Sequence, residues 1–159
     1  AMTHISEYAV QAIALSAKYS KASPETALTY ACEAIAEQEI GVKELKSTDI
    51  DAWVEAISHR EDIDIPNIVV MRKSPSILAT AHSDIHTICI RGAHTNQVTV
   101  LHEIAHLSIG IPAHGVLFRD ELVRLTRAHI SVEFASFLYS LYQSTGLEMS
   151  PWPASAHQR

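Results

Sequence analysis

Between Leu101 and Phe118 the chain reads LHEIAHLSIGIPAHGVLF, three histidines and a glutamate set in an otherwise mostly apolar run. Polar donors in such a run constrain the fold, because their side chains need a site to face while the apolar residues between them need a core. Thr95 or Asn96 can cap a helix from about Gln97 to Ser108, and Gly110 followed by Pro112 ends it. On that helix Val98, Leu101, Ala105 and Ile109 form an apolar packing face. His102 and His106 stand four residues apart on a different edge, so both imidazoles can reach one ion.

Such an H-E-x-x-H arrangement puts two nitrogen ligands one helical turn apart and a carboxylate beside them, placed to touch a metal-bound water rather than the metal. Catalytic zinc takes three protein ligands and leaves a fourth position for water. His114 is the expected third ligand, since IGIPA supplies a tight turn and Gly115 lets the backbone pass close. Glu121 and Glu133 are the competing donors from following helices.

The remaining chain supplies the frame. A length of 159 residues predicts a single domain, with 47% hydrophobic and 19% charged residues marking an ordinary globular composition. Its parts are expected to be a helical region over 1–60, a core over 61–147 and an irregular tail over 148–159. Periodicity predicts a helix with Ile5, Tyr8, Ala9, Ala12 and Ile13 on its apolar face. A second helix follows an N-cap Ser23 and an N1 Pro24 and closes on Gly41, and a third carries Ile50, Trp53, Val54 and Ile57. IPNIVVMR, SILATAH and HTICIRG read as a three-strand meander. Helices over about 115–128 and 131–144 complete an α+β fold, with a small, mainly antiparallel sheet against the Gln97 helix. An edge formed by Ile77 to His82 or by His86 to Arg91 is expected to border the cleft.

Composition also excludes partners. A net charge of −6 without a basic run offers no footprint for nucleic acid or anionic membranes, and no apolar stretch reaches the roughly 18 residues of a membrane span. Cys32 and Cys89 read as reduced core residues, which fits the cytoplasm. Tyr19, Tyr30 and Trp53 read as core, Arg119, Glu121, Arg124 and Arg127 as a solvated helix face, and His82 and His86 as hairpin histidines. Asp64 or Asp84 could steady a zinc-bound imidazole, and Tyr142, Tyr139, His129 or His94 could reach an oxyanion.

HEIAH with the downstream HGVLF resembles the H-E-x-x-H … H-G-x-x-F signature of SprT-like minimal zinc metallopeptidases. VLHEIAHLSIGIPAHGVLFRDELVRL followed by SVEFASFLYSLYQSTGL is similar to a family of small metallohydrolases of bacteria and their phages, over roughly residues 65–147. The resemblance implies a minimal zincin-like domain with Zn2+ on His102, His106 and His114, Glu103 as general base, and Tyr142 as a recurrent aromatic on the last helix. It implies a hydrolase that cleaves a peptide or protein substrate. Alternatives are a repressor-cleaving regulatory protease with a glutamate as third ligand, and a non-catalytic zinc-stabilised binding protein. The chain lacks metzincin spacing and any Cys-rich zinc ribbon, and residues 1–60 lie outside the resemblance.

Overall fold

The computed structural model describes residues 4–156. It is an α+β structure that divides into two compact units, Ala1–Gly41 with Ala113–Arg159, and Val42–Pro112. The division follows chain contacts rather than the sequence-based partition at residue 60.

The first unit is helical. It contains α1 (Ile5–Ser16), α2 (Pro24–Ile40), α5 (Val116–His129) and α6 (Val132–Ser144). Helix α2 starts where Ser23 accepts a hydrogen bond from the Thr26 amide at 3.2 Å, with Pro24 preset at the first helical position, and it ends at Gly41 with φ 77°. Ser131 caps α6 in the same way, accepting from the Phe134 amide. Helices α1 and α2 pack on each other and both pack on α6, which also carries α5. The core of the unit holds Ala12, Ala31, Phe118, Leu122, Phe134, Leu138 and Leu141, all with no exposed surface. Small alanines let α1 and α2 approach closely, and each large side chain contributes about 1.5 to 3 kcal/mol through burial. Ile13, expected on the apolar face of α1, is 53% exposed.

The second unit holds β1 (Glu44–Lys46), α3 (Ser47–Glu61), β2 (Asn67–Met71), β3 (Ala79–His82), β4 (Thr87–Arg91), β5 (His94–Asn96) and α4 (Gln97–Ile109). Strands β1 and β5 pair antiparallel, an element not anticipated because three residues of mixed polarity carry no strand period. The larger sheet has the order β2-β4-β3, with β3 antiparallel and β2 parallel to β4. A meander would have placed β3 in the middle. Instead the stretch from Arg72 to Leu78, interrupted by Pro75, is too long and too poor a donor for a tight hairpin, and it carries the chain across to the far side of β4. Consequently β4 is the central strand and its Ile88 and Ile90 are fully buried. The His86 to Arg91 segment therefore cannot offer an open edge, whereas Ala79 to His82 can.

Helix α4 packs on β3 and β5. Asn96 is its cap, accepting from the Thr99 amide at 2.8 Å, and Gly110 closes it in the left-handed region at φ 74°. Burial runs continuously from Val100 to His106, so the whole middle of the helix is enclosed rather than one stripe. No helix among the described residues is long and apolar enough to cross a membrane.

Candidate metal centre

The residues of the H-E-x-x-H run occupy the buried middle of α4. His102, Glu103 and His106 are all less than a tenth exposed. Their four-residue spacing brings the Nε2 atoms of His102 and His106 to 3.2 Å, with ring centroids 5.0 Å apart. Tetrahedral zinc with bonds of about 2.0 to 2.1 Å sets two ligand nitrogens about 3.3 Å apart. The pair therefore has the separation that one shared ion requires.

The protonation pattern also fits. Gly110 turns the chain so that the Ile111 carbonyl comes back to His106, whose Nδ1 lies 3.1 Å from it and must donate. Burial, and then the neighbouring His102, push the His106 pKa down to about 4, so the ring is neutral near pH 7. A neutral ring that donates from Nδ1 presents a lone pair at Nε2, the form a metal needs. For His106 the steadying partner is thus a backbone oxygen, while Asp64 and Asp84 are exposed.

His114 belongs to the helical unit. Its Nε2 lies 3.3 Å from the Tyr30 hydroxyl and its Nδ1 lies 3.5 Å from Thr26 Oγ1, both on α2. The rings of Tyr30 and Phe118 meet it edge-on at 4.8 and 4.9 Å. Arg119 donates to the His114 carbonyl at 2.8 Å, and the same guanidinium reaches Glu25 at 2.7 Å and the Glu148 carbonyl at 2.9 Å. At 1% exposure Arg119 is a buried tether rather than part of a solvated face. Arg124, also buried, bonds Glu121 and the Ala156 carbonyl, while Arg127 reaches Pro153 and stacks on Trp152. These three arginines fix the described part of the C-terminal tail, which lacks periodicity but not structure. The last three residues lie outside the described residues.

Imidazole nitrogens are donors that can hold a metal ion, and His102, His106 and His114 each offer one. The competing glutamates are otherwise placed: Glu121 is paired with Arg124 and Glu133 is exposed. Tyr142 is fully buried in the helical unit, and its hydroxyl has no hydrogen-bond partner among the described residues. Burial, followed by the charge of Glu33, raises its pKa well above the usual phenol value. Tyr139 donates to the Ser150 carbonyl and packs on Trp152, and His94 is exposed on β5. His86 bonds the Asp64 carbonyl at 2.7 Å and His82 faces Thr80, so each hairpin histidine is engaged locally.

Sequence reasoning missed Tyr30, Thr26 and Arg119 as neighbours of His114. Sequence predicts Tyr30 and Trp53 as core aromatics, yet both are half-buried and they lie in different units. Tyr30 is 84 positions from His114, a separation over which no local pattern carries information. The chain matches no protein-family model, no curated protein and no solved structure.

Proposed function

We propose that the protein is a zinc-dependent hydrolase of peptide bonds, with His102, His106 and His114 as metal ligands and Glu103 as general base. The observation that carries this reading is the 3.2 Å separation of the His102 and His106 Nε2 atoms on a helix that also bears Glu103. The His106 tautomer, held by Ile111, adds support. Bound zinc would supply a Lewis acid and lower the pKa of water to near 7. Glu103 takes the proton of the attacking water and returns it to the leaving amine. Strand β3, at the sheet edge and packed on α4, gives an extended substrate a ladder of backbone groups to pair with.

The test is cleavage of an unfolded-protein and peptide-library substrate by metal-loaded protein. Activity should vanish with a chelator and return with added zinc. Cleavage that survives chelation contradicts the reading.

A further inference from the structure

The surroundings of His114 go beyond naming it as a ligand. Two hydroxyls from one helix bracket its ring: Thr26 and Tyr30 stand four apart on α2, on the same face, and meet Nδ1 and Nε2 respectively. Arg119 ties the His114 carbonyl to Glu25, the residue before Thr26. The first turns of α2 therefore form a cradle that fixes both the backbone and the ring of this histidine.

We propose that the Tyr30 hydroxyl competes with the metal for Nε2 of His114, holding the ring in place without the ion and swinging aside when it binds. This rests on the zinc-site reading above. We take Nε2 to be the ligating atom on the pattern of His106, where Nδ1 is tied within the protein and Nε2 is turned to the partner histidine. A Tyr30 hydroxyl that donates to Nε2, 3.3 Å away, uses the lone pair a metal would take. The two cannot use it together. Tyrosine can yield, since its long side chain pivots about two torsions and Tyr30 is only half-buried. Thr26, short and on the first turn of α2, has no such reach. Tyr30 is thus a positioning residue: its ring, 4.8 Å from the imidazole, orients His114, while its hydroxyl lowers the apparent affinity for metal.

The opposite roles of ring and hydroxyl give the test its sign. Zinc affinity is measured on the full metal-stripped chain by competition with a chromophoric chelator, for the parent, Tyr30→Phe, Tyr30→Ala and Thr26→Val. Tyr30→Phe keeps the ring and removes the competitor, so zinc should bind about two- to tenfold tighter, the worth of one net hydrogen bond. Tyr30→Ala removes both, and zinc should bind more weakly than to Tyr30→Phe. Nitrogen-15 spectra of the zinc-free chains should show Tyr30→Phe moving the His114 Nε2 resonance and Thr26→Val moving Nδ1. Unchanged or weaker binding by a folded Tyr30→Phe overturns the competition, and tightening by Thr26→Val instead overturns the choice of Nε2. A parent chain that binds no zinc would remove the site reading and this inference together, whereas a zinc-binding parent with an indifferent Tyr30→Phe removes this inference alone.

Discussion

His102 and His106 sit four residues apart on one helix, whereas the ring of His114 is met by two side chains of α2, 88 and 84 positions away. In α4 the four-residue period sets the Nε2 separation, and the helix terminator delivers the Ile111 carbonyl that fixes the tautomer. His114 draws on both near and distant groups. Its carbonyl depends on Arg119 and its ring on Thr26 and Tyr30 of α2. A locally built pair is tuned by helix caps and burial, while a remotely held ligand is tuned by the tertiary packing of a helical bundle. Substitutions should therefore separate the two kinds of support.

The largest effect is expected on chemistry rather than on either support. Glu103→Gln should keep fold and zinc and lower turnover by about 10² to 10⁴ fold, the usual contribution of a positioned acid–base group. Steady-state cleavage assays on zinc-loaded protein measure this. Next comes the tertiary support, in which Arg119 ties the His114 carbonyl to Glu25 and Glu148. Arg119→Met should destabilise the helical unit by about 2 to 4 kcal/mol, because the carbonyls of His114 and Glu148 lose a buried charged donor. The denaturant midpoint reports it, and an unchanged midpoint would show that the tether is dispensable. On the local side, Asn96→Ala removes the cap of α4 and should cost about 1 kcal/mol. If that substitution destabilises the chain as much as Arg119→Met does, the contrast between local and tertiary support fails.

The smallest effect concerns pH and lies within the helical core. Burial pushes the Cys32 thiol up to about 12 and also raises the Tyr142 phenol. An acid whose pKa is raised on folding keeps its proton longer in the native state. Its contribution to stability is complete below the unfolded thiol value near 9 and is lost as pH rises from there toward 12. Stability measured by denaturant should decline across that interval in the parent and decline less in Cys32→Ala. Native protein at pH 8 should react with a thiol reagent at Cys89, which is partly accessible, much faster than at the fully buried Cys32.

What could be read from sequence follows the same division. Helix α4, its cap, its glycine stop and the His102, Glu103, His106 constellation were legible because each rests on spacing within one or two turns. The bounds of α5 and α6 were nearly so, from Gly115, Ser131 and Gly146. Sheet order was not, because a β-branched run such as IVVM records strand propensity but not its neighbour, and the parallel β2-β4 pairing depends on where the Pro75 loop leads. Charge at helical spacing predicts a solvated face for the arginines of α5. Their partners are backbone carbonyls of a tail without periodicity, to which a sequence pattern gives no pointer. Tyr30 is similar, since an aromatic at helical spacing shows its packing and not what its hydroxyl meets.

The most direct test of the zinc reading is metal analysis joined to X-ray absorption at the zinc edge, on the parent, Glu103→Gln and His114→Ala after zinc loading and removal of excess. The account predicts one zinc per chain in the parent, with a nitrogen shell at about 2.0 to 2.1 Å that Glu103→Gln leaves intact and His114→Ala weakens or empties. A parent chain that retains no zinc, or a shell that loses an oxygen ligand in Glu103→Gln, would contradict it.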